Sequence, residues 1–306
     1  MRPTVPGLVW SDADREALPA ALPGHVLVTG AGGSLGGDVV GLLRTHGVRV
    51  TAFSSTWRRP SEADVELTGD TTDPDAVAQA VQGADAVVHM AAIPGEGLAP
   101  AYQGYRTNTD STFNVLDQAG SHGVGRAVIA SSINAFGVPA NPQPDLLPEY
   151  YPIDEEIPPR LADWYSLSKR SDELTAEMVA GAWGMTVVAL RFPLTTLPSR
   201  VRALAQPEHH RQVREGWSYL DRRDAARAVL HALVAPLEGA HVIGLSAADT
   251  FRPEDTQDLL DRHAPTVPRR RELTGREALV DTTRARTLLG FVPRHTWTEP
   301  DPDTIP

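Results

Sequence analysis

The sequence predicts an α/β fold built on a doubly wound parallel sheet. Three observations point to it. Short β-rich runs alternate with longer helical stretches. Those runs are apolar nearly throughout, as strands covered on both faces are. A glycine-rich turn joins the first run directly to the first helix. Strands are expected at 25–29, 48–53, 65–68, 86–89, 127–130, 186–191 and 241–244, and helices at 34–46, 74–82, 106–121, 163–183 and 221–234. A further helix is expected at 282–289.

Composition removes several functional classes. The 306 residues are 41% hydrophobic and 22% charged, a globular balance. With 28 basic and 39 acidic side chains the formal charge is 28 − 39 = −11, which argues against nucleic acid as a partner. The absence of cysteine excludes disulfides, thiolate zinc sites and thiol nucleophiles. No apolar run approaches the roughly 18 residues of a spanning helix, and acidic residues stand where a signal peptide would be apolar. No membrane partner and a cytoplasmic location are therefore expected.

Taken in order, residues 1–24 form a leader with no catalytic signal, either a docking arm or a frayed end. The first strand then runs into Thr29-Gly30-Ala31-Gly32-Gly33-Ser34-Leu35-Gly36. Glycines at 30, 33 and 36 let the backbone turn tightly and approach a pyrophosphate, whose charge is met by the start of the following helix. This context makes the sheet Rossmann-type, with a dinucleotide as cofactor. No Gly-Lys-Ser/Thr follows, so the turn is not a P-loop. After the second strand, Ser54 stands where a carboxylate would bond the ribose of NAD, and Ser55, Thr56, Trp57, Arg58 and Arg59 follow. Hydroxyls and a guanidinium there favour NADP over NAD, with a solvated turn as the plain structural reading of Arg58 and Arg59.

Further along, the strand at 127–130 delivers Ser131 and Ser132 at its carboxyl end, where ligands bind in open α/β sheets. Residues 138–160 carry seven prolines, a span too long and too irregular for an ordinary connection. Tyr165 and Lys169 then lie i, i+4 on one helical face. Lys169 is the only lysine among the 28 basic residues. A nearby ammonium favours phenolate, which makes Tyr165 a candidate general acid–base.

Glycine turn, serine pair and Tyr-x-x-x-Lys in this order resemble the extended short-chain dehydrogenase/reductases, the NAD-dependent epimerase/dehydratase family. Supporting stretches are Gly69-Asp70, similar to an adenine-contacting site, and His89-Met90-Ala91-Ala92, similar to the family's Ala-rich turn beside the cofactor. Tyr105-Arg106-Thr107-Asn108, Ser131-Ser132 through Phe136-Gly137, and Leu190-Arg191-Phe192-Pro193 extend the resemblance. It implies Tyr165, Lys169, Ser132 and Asn108 as catalytic residues. Tyr165 would exchange a proton with the substrate oxygen, Lys169 would hold the nicotinamide ribose, Ser132 would orient the substrate oxygen, and Asn108 would support a relay or the local geometry. Gly30, Gly33, Ser34, Leu35, Gly36, Ser54, Arg58, Asp70, His89, Ala91, Lys169, Phe192 and Pro193 would bind cofactor.

Departures from the family pattern narrow the expectation. Ile133 and Asn134 replace the Asp-Glu pair of sugar-nucleotide dehydratases, so dehydration is not expected. The stretch between Arg191 and Asp221 is short, which points to a small sugar-like or polyketide-like substrate without a nucleotide handle. The expected layout is a leader at 1–24, a dinucleotide-binding domain at 25–193, a short substrate cap at 194–220, completion of the sheet at 221–245 and a small C-terminal substrate-binding region at 246–306. The reading is an NAD(P)-dependent oxidoreductase acting on a hydroxyl or ketone, with an epimerase as the alternative and a non-catalytic cofactor sensor behind both. A homodimer through helices 106–121 and 163–183 is a further expectation. His209, His210 and Arg211 lack a third ligand at fixed spacing, so no metal is expected. Asp154, Glu155 and Glu156 read as a solvated stretch, and Arg269, Arg270 and Arg271 as a solvated or ion-paired turn.

Overall fold

The computed structural model describes residues 7–95, 97–205 and 210–305. Its centre is a seven-stranded sheet of β1 (His25–Thr29), β2 (Arg49–Ser54), β3 (Val65–Thr68), β4 (Ala86–His89), β5 (Arg126–Ser132), β6 (Thr186–Phe192) and β7 (Ala240–Gly244). All neighbours are parallel, in the order β7-β6-β5-β4-β1-β2-β3. The order reverses between β1 and β4, so the carboxyl ends of these two strands open the crevice in which open α/β sheets bind ligands. The doubly wound α/β expectation is met.

Five helices connect these strands: α1 (Ser34–Thr45), α2 (Pro74–Val81), α3 (Ala101–Ser121), α4 (Trp164–Trp183) and α5 (Arg222–Val234). Three of their starts are dictated by aspartates. Asp73, Asp163 and Asp221 each accept a backbone N–H of the first turn, at 3.0, 2.7 and 2.8 Å respectively. Helix α3 begins at Ala101, five residues before the expected 106. The apolar period is hidden there because Tyr102 is exposed and Gly104 carries no side chain; the ring of Trp164 fills the space a Cβ at Gly104 would take.

Two apolar clusters cover the faces of the sheet, one centred on Val28, Leu43 and Leu230 and the other on Leu27, Leu116 and Val187. A third stands apart and joins the proline-rich segment to the C-terminal part through Phe136, Tyr151, Leu259 and Leu279. Burying each such side chain contributes roughly 1.5–3 kcal/mol, so the segment is anchored despite its lack of regular structure. The buried Arg214 adds polar ties to it, donating to the carbonyls of Asn141 at 2.7 Å and Pro144 at 2.5 Å, and to that of Gln143. The acidic stretch inside it is not wholly solvated, which corrects the sequence expectation. The Glu155 side chain is 6% exposed and accepts the Gly244 N–H at 2.7 Å at the end of β7. Arg269, Arg270 and Arg271 are ion-paired to Asp261, Asp154 and Glu277.

Of the leader, residues 7–24 dock. Leu8 is buried, and its N–H reaches Asp38 of α1 at 3.3 Å. Glu16 binds Arg227 at 2.8 Å, His231 at 3.0 Å and Arg294 at 2.8 Å. Gly7–Leu8 pairs antiparallel with Thr304–Ile305. Residues 1–6 and His209 lie outside the described residues, as do the side chains of His210 and Arg211.

Candidate active site

The glycine turn forms a cradle that only glycine permits. Gly30 has φ +66°, and a Cβ there would stand 2.6 Å from the Ala91 nitrogen. A Cβ at Gly36 would stand 2.3 Å from the Gly30 carbonyl oxygen. Gly33 is the N-cap of α1 and has no side chain to satisfy the helix's first amides, so Ser34, Leu35 and Gly36 open the helix with its positive dipole end uncapped. This chemistry fits a pyrophosphate. Ala91, on the far side of Gly30, borders the same turn at the end of β4.

Lys169 is 4% exposed, and its Nζ donates to the Ala130 carbonyl at 2.8 Å and to Asp172 at 3.1 Å. Two of the ammonium's three donors are thus committed, and one remains. Burial alone would lower the Lys169 pKa, but the neighbouring Asp172, Tyr165 and Glu173 overcome it and hold the value above that of a free lysine. Tyr165, one turn earlier, is half-buried, and its phenol oxygen has no hydrogen-bond partner among the described residues. Trp164 meets the Tyr165 ring edge-on at 5.8 Å and limits its movement.

Ser132 ends β5 two residues beyond Ala130, the carbonyl that anchors Lys169, and α4 packs against the 3-10 turn Ile133–Phe136 that Ser132 caps. Serine and lysine are therefore tied to the same strand end, and Tyr165 stands one turn before Lys169 on α4. Asn108 is buried and acts as a clamp. Its Oδ1 accepts the Ile93 N–H at 2.7 Å, while Nδ2 donates to the Ile93 carbonyl at 3.2 Å and to Ser168 at 3.1 Å. The turn beside the cradle is thereby tied to the helix carrying Tyr165.

Beneath the serine pair, Ser131 donates to Glu173 at 2.7 Å, and Arg191 grips both Glu173 oxygens at 2.7 and 2.9 Å. Burial raises the Glu173 pKa, but Arg191, Ser131 and Arg170 outweigh it and keep the carboxyl below its ordinary value. Glu173 and Asp172 were missed by sequence reading, although their spacing of four and three residues from Lys169 puts them in its reach.

The remaining expected residues are spread around the cradle. Ser54 is buried, and its hydroxyl donates to the Thr56 carbonyl at 3.0 Å. Arg58 is exposed, whereas Arg59 is held by Asp38 at 3.3 Å. Asp70 is exposed and orders its own turn by accepting the Thr72 N–H and hydroxyl, both at 2.9 Å. Phe192 and Pro193 are buried, and the Phe192 carbonyl faces Ser132. For His89 the structure corrects the expectation. Its ring is buried between Thr29 at 2.7 Å and Thr112 at 3.2 Å, and burial together with the Lys169 charge lowers its pKa to about 3. The side chain is a neutral interior strut, which leaves only backbone to border a cofactor.

Comparison with known proteins places these features. Residues 26–244 match the family model described as NAD dependent epimerase/dehydratase family. A UDP-glucose 4-epimerase from Corynebacterium glutamicum is 30% identical over 173 residues, 55% of this chain but only 50% of that enzyme's length. A uronate dehydrogenase from Pseudomonas syringae pv. tomato is 26% identical over 221 residues, 72% of this chain and 73% of that enzyme. A crystal structure of a short-chain dehydrogenase/reductase superfamily protein from Agrobacterium tumefaciens with bound NAD superposes with a TM-score of 0.68 at 25% identity, covering 89% of this chain and 93% of the other.

Proposed function

The chain belongs to the NAD-dependent epimerase/dehydratase family of short-chain dehydrogenase/reductase enzymes, and on that premise we propose that it is an NAD(P)-dependent oxidoreductase acting on a hydroxyl or ketone of a small sugar-like molecule. The observation that carries this reading is Tyr165, whose phenol oxygen has no hydrogen-bond partner among the described residues, one turn from a buried Lys169 anchored on the strand that ends in Ser132. When bound along the glycine cradle, a nicotinamide dinucleotide supplies the two-electron redox partner. In the oxidation direction Tyr165 takes the hydroxyl proton as the substrate carbon gives up hydride, and in reduction it returns a proton to the oxygen. Ser132 donates to that oxygen. The third N–H of Lys169 is available to a ribose hydroxyl.

Several finer points belong to the same proposal. NADP is preferred over NAD, because no carboxylate stands at Ser54 and the exposed Arg58 is free to meet a 2′-phosphate. Residues 25–193 and 221–245 hold the cofactor, while 194–220 and 246–306 shape the substrate side. The chain works in the cytoplasm as a homodimer through α3 and α4, whose outer faces expose Phe113, Leu174, Met178 and Trp183. The likeness to the uronate dehydrogenase favours a uronate or aldose substrate.

The test is incubation with NAD+ or NADP+ and a panel led by D-glucuronate. Appearance of reduced nicotinamide supports the oxidoreductase. Inverted stereochemistry with no net reduction supports the epimerase reading, which the likeness to the UDP-glucose 4-epimerase favours.

A further inference from the structure

We propose that Asn134 is a positioning residue that fixes the Ser132 hydroxyl as a hydrogen-bond donor toward the substrate oxygen. The assignment rests on the oxidoreductase reading above and specifies how one of its groups is set.

Ser132 Oγ accepts two hydrogen bonds from the same residue, one from the Asn134 backbone N–H at 3.1 Å and one from the Asn134 side-chain amide at 3.1 Å. A hydroxyl has two acceptor positions and one proton. Both acceptor positions are therefore occupied by N–H donors, and what Ser132 still offers is its proton. Inside the protein that proton points to the Phe192 carbonyl at 3.5 Å, well beyond the roughly 2.5–3.0 Å of a good O–H···O bond. A substrate oxygen arriving at the strand end displaces that contact at little cost.

The consequence is a division of labour at the reacting oxygen. Negative charge grows on this oxygen in either direction of the reaction, and a donor held ready for it stabilises the transition state. Were a lone pair of Ser132 open, it would also accept a hydrogen bond from a substrate hydroxyl and compete with Tyr165 for it. With both lone pairs filled, the substrate hydroxyl has one acceptor, the Tyr165 oxygen. Ile133 lies buried between the two polar residues and presents no group that interferes. An asparagine plays this part with its amide nitrogen turned to Ser132, whereas a carboxylate at the same place would only accept a hydrogen bond from the serine hydroxyl.

The discriminating variant is Asn134→Asp, assayed with D-glucuronate and NAD+. At neutral pH the carboxylate accepts the Ser132 hydroxyl and turns it from the substrate, so kcat/KM is expected to fall about 100-fold, mostly in kcat. As pH drops and the new acid is protonated, it donates again, and the ratio of variant to wild-type kcat/KM should climb. A role in folding alone would give a ratio that does not depend on pH. Ser132→Ala and Tyr165→Phe are run beside it. If those two retain wild-type turnover, the oxidoreductase reading falls; if they lose it while Asn134→Asp matches wild type at every pH, only the assignment of Asn134 falls. A neutron structure of the unliganded wild-type protein decides the direction without turnover or a variant. Deuterons on the Asn134 amide pointing at Ser132 support the proposal, and a Ser132 deuteron directed at the Asn134 amide oxygen overturns it.

Discussion

The Lys169 ammonium and the Asp172 carboxylate lie 3.1 Å apart with side chains 4% and 1% exposed, on the face of α4 that also carries Tyr165. Removing both charges from water is costly, and the pair persists because each compensates the other and Ala130 satisfies a further donor of the lysine. The cation beside Tyr165 is thus a pinned one, set at a fixed place with one N–H in reserve. A guanidinium cannot reproduce it. Among 28 basic residues this is the one that is not arginine.

Lys169→Arg keeps the charge but puts a longer, planar group into a space closed by Ala130 and Asp172. Displacement of reacting groups by about an ångström costs on the order of 100-fold, so kcat/KM should fall by at least that factor, together with weaker cofactor binding. Steady-state kinetics and cofactor titration check it. Full activity with unchanged affinity would make the solitary lysine an accident of composition.

Buried His89 makes stability depend on pH. Its folded pKa is about 3 against 6.5 for the free side chain, so above pH 6.5 it is neutral in both states and has no effect. As pH falls from 6.5 toward 3, the unfolded chain takes up a proton that the folded one refuses, and stability declines by up to about 1.4 kcal/mol per pH unit. His89→Gln should flatten this slope, read from urea midpoints at pH 7 and pH 5.

Cofactor choice is tested at Arg58, which is exposed while Arg59 is held by Asp38. Arg58→Ala should weaken NADPH binding about tenfold and leave NADH unchanged, since only the former carries a 2′-phosphate to lose a charged hydrogen bond. Tight NADH with negligible NADPH binding in the wild type would overturn the preference.

The helix pair is tested at Leu174, which is 51% exposed on α4. Leu174→Glu places a charge in the proposed interface. Sedimentation should show a dimer for the wild type and a monomer for the variant at equal concentration, with the far-UV spectrum unchanged.

Much of this site is local in the chain, and that part was legible in the sequence. Gly30, Gly33 and Gly36 follow a strand and open a helix, while Tyr165 and Lys169 are one turn apart, so spacing alone brings each set together. Interior partners were harder to read. Glu155 looks solvated in the sequence because its neighbours are polar, yet Gly244, 89 positions away, gives it a buried N–H. His89 resembles a cofactor contact until Thr29 and Thr112 are seen to enclose its ring. Asn108 was recognised as a site residue, but its partner Ile93 lies 15 positions back in an irregular turn with no pattern of its own. Packing across the sheet decides such cases, and local periodicity does not report it.

The most direct test of the account is reduced-nicotinamide formation by wild type and Tyr165→Phe, with D-glucuronate and a panel of aldoses in the presence of NAD+ or NADP+. Wild type should reduce the cofactor, and the variant should lose about 100-fold or more in kcat while binding the cofactor with wild-type affinity. Unchanged turnover by Tyr165→Phe would contradict the account, because the proton would then be carried by a group other than the phenol one turn from Lys169.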